Sequence, residues 1–261
     1  MTIKAIIFDL DDTLVVEVAS ANAAFNLACK LAFEKYGIDP DKFHQTIRKT
    51  ARTLWYASPS HPYCKEIGIS SWEGLWARFR GDNPNLIALR KWSPTYRLQS
   101  WSNALKEFGI DDDTLAEQLS ETFQTERRKR HIVFDDAQNV LDELRKQYQL
   151  ALVSNGAPGL QREKLNGSGL AHYFAIVIIS GEIGIGKPDP KLFEITLEKL
   201  RVKPNEAVVI GNARGTDILG AKNANIKAIW LNRDNSDYDS DVIPDFQIAK
   251  LNQLPALLNS F

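Results

Sequence analysis

Four consecutive apolar residues, Ala5-Ile6-Ile7-Phe8, run directly into Asp9-Leu10-Asp11-Asp12-Thr13-Leu14. A short, β-branched run with no polar residue suits a strand buried on both faces, as a parallel sheet requires. Such a strand delivers the residues after it to one edge of the sheet. Open α/β sheets bind ligands at the carboxyl ends of their strands, where alternate residues point the same way, so Asp9 and Asp11 can address one substrate. Paired carboxylates there suit a nucleophile and an acid/base. Taken alone, the same ten residues also read as a strand ending in a solvated acidic turn.

From residue 132 onward short apolar runs alternate with amphipathic segments. Asp135 or Asp136 can cap a helix through Val140, Leu141 and Leu144, ahead of a strand at Leu150-Ala151-Leu152-Val153. A helix near Leu160 to Leu165, a strand at Ala175 to Ile179 and a loop to Lys187 come next. Asp189-Pro190 reads as N-cap and first helical position, and strands at Ala207 to Ile210 and Ile226 to Leu231 bracket a helix beginning around Thr216. With the first strand this predicts a doubly wound parallel sheet, Rossmann-like in its winding.

Residues 18–131 break that rhythm, since helical periods dominate there: Ala23, Phe25, Leu27, Ala28, Leu31 and Ala32 in one segment, Leu115, Leu119 and Phe123 in another. The same stretch carries Trp55, Trp72, Trp76, Trp92 and Trp101, as a unit with its own apolar core would. The expected organisation is an α/β core of residues 1–17 and 132–261 with an all-helical insertion at 18–131. The insertion is expected to lie over the acidic strand end and to hinge near Val15 to Ser20 and Arg128 to Phe134. Asp234, Asp237, Asp239 and Asp241, set among Asn and Ser, read as a solvated loop.

At 261 residues the chain can bury a substantial core, and 32 Lys+Arg against 33 Asp+Glu leave a formal net charge of -1. No overall field draws it to nucleic acid or an anionic membrane, so an anionic ligand must be met locally. With Met1-Thr2-Ile3-Lys4 directly before the strand no leader is expected, and no apolar run is long enough to cross a bilayer. Cys29 and Cys64 have no metal-ligand spacing and read as free thiols; the expected location is the cytoplasm.

The loops after the predicted strands open on one edge, and each carries chemistry. Ser154-Asn155-Gly156 offers a hydroxyl and backbone N–H groups for an anionic oxygen, although it is also an ordinary turn. In Gly184-Ile185-Gly186-Lys187-Pro188-Asp189-Pro190, glycines and prolines fix the path of a single lysine, a compact charge for a carboxylate or a phosphoryl group. The last loop is Gly211-Asn212-Ala213-Arg214-Gly215-Thr216-Asp217, and no Gly-Lys-Ser/Thr makes it a P-loop.

Taken together, these motifs resemble the haloacid dehalogenase superfamily, and its phosphatases in particular. Asp9-Leu10-Asp11-Asp12-Thr13 is similar to the first motif, Ser154 to the second, Lys187 to the third, and Gly211-Asn212 through Asp217 to the fourth. The insertion resembles the C1-type helical cap of that family. Lys65-Glu66-Ile67-Gly68, Trp72-Glu73-Gly74-Leu75-Trp76 and Glu126-Arg127-Arg128 are similar to bacterial members labelled phosphoserine phosphatase.

The resemblance implies a magnesium-dependent phosphomonoester hydrolase for a small phosphorylated metabolite. In it Asp9 is the nucleophile, forming an aspartyl-phosphate, and Asp11 is the acid/base. Ser154, Asn155 and Lys187 hold the phosphoryl oxygens; Asp9, Asp11, Asn212 and Asp217 form the magnesium site. Such phosphatases usually place Asp where this chain has Asn212, which withdraws a charge from the metal site. The dehalogenases of the superfamily carry Asn near this point and use no metal, so dehalogenase chemistry and a weakened phospho-ligand-binding relative are the alternatives. Asp11 favours the phosphatase, because the dehalogenases lack an acid two residues after the nucleophile. Lys65, Arg78 and Arg80 are substrate-recognition candidates in the insertion and equally read as solvated helix faces.

Overall fold

The computed structural model describes residues 2–237 and 241–260. Its centre is a six-stranded sheet, β1 Ala5–Phe8, β2 Gln149–Ser154, β3 Ile176–Ile179, β4 Ala207–Gly211, β5 Lys227–Leu231 and β6 Phe246–Ile248, in the order β3-β2-β1-β4-β5-β6. Every pairing is parallel, with Phe8 level with Leu152 on one side and Ile210 on the other. The chain builds outward from β1 through β2 to β3, then restarts at β4 on the other side. The order therefore switches between β1 and β4, and at their carboxyl ends a doubly wound sheet opens a crevice.

The described chain divides into two compact units: residues up to Val16 with Ile132–Gly156 and from Gln161 on, and Glu17–His131 with Ala157–Leu160. The second unit holds α1 Val18–Tyr36, α2 Pro40–Tyr56, α3 His61–Ile67, α4 Ser71–Gly74, α5 Pro84–Lys106 and α6 Asp113–Arg128. Local signals set these ends: Gly37 closes α1 at φ 67, and Asp39, ahead of Pro40, accepts the Lys42 N–H at 2.9 Å. Phe43, Ile47, Ala51 and Trp55 recur every four residues and form the buried stripe of α2. They join Phe25, Trp101 and Phe123 in an aromatic-rich core, with the Phe25 and Phe123 rings 4.2 Å apart.

In the α/β unit, α7 Ala137–Leu144, α9 Ser180–Ile183, α10 Lys191–Leu200, α11 Leu219–Asn223 and α12 Leu254–Leu258 accompany the sheet, and α8 Pro158–Gly167 belongs to it from Gln161 on. Alternate strand residues enter different cores. Ile6, Phe8, Leu152, Val208 and Ile210 pack with α7 and α12, whereas Ala5, Ile7, Ala151, Val153 and Val209 pack with α10 and α11. The period of two operates inside runs that look uniformly apolar in sequence.

Several local expectations are corrected. Asp136 sits at the start of α7 but does not cap it; its carboxylate binds Arg233 and the Leu251 N–H. Asp189 accepts the Lys191 N–H at 2.8 Å, one position earlier than a regular cap, and Pro190 takes the cap position. A π-helical turn, Arg214–Ile218, precedes α11, which begins at Leu219 and not near Thr216. Strand β6 is an addition. Asp234, Asp237 and Asp241 are exposed, and Asp239 lies outside the described residues.

Candidate active site

Asp9 emerges from β1 with its N–H on the Ile210 carbonyl at 2.9 Å, so the backbone is still tied to β4 where the carboxylate leaves the strand. The chain then turns tightly: Asp12 adopts φ 56, its N–H reaches Val15 O at 2.8 Å, and Leu14 N–H reaches Leu10 O at 2.9 Å. Asp is among the residues that tolerate that left-handed conformation. The turn folds Thr13 back, so that its buried hydroxyl donates to Asp9 Oδ2 at 2.9 Å and accepts the Asn212 N–H at 3.2 Å. Asn212 Oδ1 lies 3.3 Å from the same hydroxyl. One side chain thus joins the ends of β1 and β4.

Lys187 reaches the crevice from the β3 side. Its ammonium donates to Asp9 Oδ1 at 2.7 Å, Asp217 Oδ1 at 2.6 Å and Val153 O at 2.8 Å, which uses its three protons. The backbone behind it is clamped by Asn155, whose Oδ1 accepts the Lys187 N–H at 2.8 Å and whose Nδ2 donates to Lys187 O at 3.0 Å. The Asn155 side chain is therefore engaged on the lysine loop, and its backbone is what remains for an anion. Asp217 is buried, with Oδ2 accepting the Ala213 N–H at 3.0 Å. A Cβ on Gly211 would stand 2.3 Å from Asp217 Oδ2, so only glycine lets this carboxylate fold against β4.

These charges do not balance evenly. Burial first, then the Asp217 carboxylate, push Asp9 up to about 7 against the pull of Lys187. Burial alone would lower the Lys187 ammonium, but Asp217 and Asp9 outweigh it and hold it above its ordinary value. One lysine shared between two buried acids leaves Asp9 short of positive charge.

Asp11 has different partners. Its Oδ2 accepts from Gln161 Nε2 at 2.8 Å and from Lys164 Nζ at 3.0 Å, both in the part of α8 that belongs to the α/β unit. The Gln161 amide also donates to Ser154 Oγ at 2.6 Å. Gly156, at φ 139, clears the way, since a Cβ there would meet Gln161 Cγ at 2.9 Å.

Five residues here escaped the sequence reading: Thr13, Gln161, Lys164, Trp230 and Arg233. Trp230 Nε1, on β5, donates to Asn212 O at 2.8 Å, and Arg233 Nη2 donates to Thr13 O at 3.1 Å while pairing with Asp136. The available signal lay in α8. Gln161 and Lys164 are polar residues three apart, between Leu160 and Leu165, on positions that are buried.

A family model described as haloacid dehalogenase-like hydrolase matches residues 3–225. The chain belongs to that family. Among its relatives, a phosphoserine phosphatase of Thermus thermophilus is 37% identical over 252 residues, covering 96% of this chain and 97% of that protein. A mouse N-acylneuraminate-9-phosphatase is 28% identical, with 99% and 94% covered. Among solved structures, 2-haloacid dehalogenase from Pseudomonas syringae superposes with TM-score 0.62 at 27% identity, each chain 99% covered. The hydrolase YfnB from Bacillus subtilis, solved bound to magnesium, superposes with TM-score 0.67 at 24% identity, with 99% and 100% covered, a likeness of fold. This haloacid dehalogenase-like hydrolase is thus an enzyme whose relatives include both phosphatases and dehalogenases.

Phosphatases of this family generally use magnesium, and the donor atoms at this point are of the type that could hold it. The donors are all oxygens, which a hard cation prefers, and Asp9 Oδ2 and Asn212 Oδ1 converge on the Thr13 hydroxyl. Among the described residues no three His, Cys, Asp or Glu side chains form a ready cation cluster, and Asn212 contributes an amide oxygen and no charge.

Proposed function

We propose that the chain is a magnesium-dependent phosphomonoester hydrolase for a small metabolite, phosphoserine first among candidates, working through an aspartyl-phosphate on Asp9. The observation that carries the reading is the pair at the end of β1: a buried carboxylate held by Lys187 and Thr13, with a second acid two residues on. Asp9 Oδ attacks phosphorus as the bond to the leaving oxygen breaks. Asp11 gives that oxygen a proton, then takes one from the water that releases phosphate and regenerates Asp9. Ser154 and the backbone N–H groups after it hold the phosphoryl oxygens, while the Lys187 ammonium, its three protons on Asp9, Asp217 and the Val153 carbonyl, stands beside them as a positive charge. Asp9, the Asp11 carbonyl and Asn212 would hold magnesium, with Asp217 acting from behind through Lys187 and the Ala213 N–H. When bound, the ion supplies positive charge that offsets repulsion between the phosphoryl group and Asp9.

Phosphoserine is favoured by the whole-length likeness to the Thermus thermophilus protein. The dehalogenase reading draws on Asn212; Asp11 weighs against it. An assay with an aryl phosphate and with a 2-haloacid, each with and without magnesium, separates the two. Phosphate release that needs magnesium is expected. Metal-independent halide release without phosphatase activity would replace this reading with the dehalogenase one.

A further inference from the structure

In the helical unit two arginines close on the backbone from Gly74 to Ala77, and a third, Arg78, follows it. Arg97, on α5, donates Nε to Gly74 O at 3.4 Å and Nη2 to Ala77 O. Arg128, at the end of α6, donates to Trp76 O and lies 5.6 Å from the centre of the Trp76 ring. Only carbonyl oxygens receive the protons of the partly buried Arg97, and its Nη1 has no hydrogen-bond partner among the described residues. Neither Arg97 nor the exposed Arg78 has an ion pair there. Burial first, then the Arg128 and Arg78 charges, push Arg97 down to about 10, with Tyr96 pulling against them. Holding a half-buried guanidinium against two like charges costs stability unless an anion arrives. A carboxylate matches the guanidinium fork with two parallel hydrogen bonds.

The chain around these arginines ties them to the proposed chemistry. Phe79 turns it between Arg78 and Arg80: the residue is buried at φ 46, where an aromatic side chain is an outlier that only its surroundings can hold. The same unit includes Ala157–Leu160, the residues directly after Ser154-Asn155-Gly156 in sequence. Gly159 lies against Arg80, since a Cβ there would stand 3.1 Å from Arg80 Cβ and 3.4 Å from its backbone N. The arginine-bearing turn is therefore packed on the residues that continue the proposed phosphoryl loop. We propose that Arg97, Arg128 and Arg78 form a carboxylate site in the helical unit, and that the substrate is the phosphomonoester of a carboxylic acid. The inference rests on the phosphatase reading and narrows it.

The test compares kcat/KM, with magnesium, on two matched pairs of substrates. Phosphoserine and phosphoethanolamine differ by the carboxylate alone; 3-phosphoglycerate and glycerol 3-phosphate repeat the comparison without an amine. The wild type is expected to prefer the acid in at least one pair by about 10- to 100-fold, the worth of hydrogen bonds to a charged group. Arg97→Met should lower kcat/KM on that acid by a similar factor and on its partner by less than about 3-fold. Arg78→Ala, at an exposed position, should narrow the preference in the same direction, and it carries the comparison if Arg97→Met fails to fold. Equal losses on both members of the pair, or a preference unchanged in both variants, would overturn the assignment to these arginines. A wild type that hydrolyses an aryl phosphate but shows no preference for the acid in either pair would overturn the carboxylate inference and leave the phosphatase reading standing. No phosphate release from any substrate would overturn both.

Discussion

At Asp9, burial and a neighbouring acid oppose the charge that the proposed chemistry needs, and the consequence for stability has a definite sign. An acid raised to about 7 in the folded chain, from an ordinary 3.8, favours folding at low pH and loses that contribution as pH rises through 7. In the absence of metal, Asp9→Asn should therefore melt at higher temperature than the wild type at pH 8. The difference should close toward pH 4, as thermal denaturation in the presence of a chelator will show. Asp112 works in the opposite sense. Hydrogen bonds from Lys35, the Leu115 N–H and Tyr36 hold it down at about 2, so Asp112→Asn should lower the melting temperature at neutral pH, and the deficit should vanish as pH falls from about 4 through 2. At Asn212 the missing charge is the issue. Asn212→Asp should lower the magnesium concentration for half-maximal turnover, and calorimetric titration should show tighter binding; equal affinities would place residue 212 outside the coordination shell.

At the scale of elements, β5 and the turn that follows it support the site although none of the proposed chemistry lies on them. Trp230 holds the Asn212 carbonyl and Arg233 holds the Thr13 carbonyl, and Thr13 joins Asp9 to Asn212. Trp230→Phe keeps an aromatic ring in place and removes the donor. It should raise the magnesium required for half-maximal activity about 10-fold, the lower end of the loss typical of an outer partner of a ligand, while changing kcat less at saturating metal. What was legible in sequence obeys the same division. The strands showed themselves because a parallel sheet buries both faces of β1, β2 and β4, and their ends showed themselves because acids, Ser154 and Lys187 stand beside Gly and Pro. Strand β6 did not, since three residues with Gln247 at the centre carry too little apolar pattern. Asp136 read as a cap because nothing local announces Arg233, 97 residues away. Gln161 and Lys164 meet Asp11 across 150 and 153 residues, and such pairings are created by the winding of the sheet, not by spacing along the chain.

The molecule as a whole keeps separate cores for its two units, so damage to one can be read apart from the chemistry of the other. Phe25→Ala, in the fully buried aromatic cluster of the helical unit, should cost about 3–5 kcal/mol in denaturant unfolding. The claim that ties the α/β unit together is covalent: the phosphoryl group passes through Asp9. The most direct measurement is rapid acid quenching during the first turnover on a small phosphate monoester with magnesium, with peptide mapping of the quenched protein. A phosphorylated peptide whose modified residue is Asp9, absent from Asp9→Asn together with turnover, is the predicted result. Undiminished phosphate release by Asp9→Asn, with no phosphorylated peptide in the wild type, would contradict it.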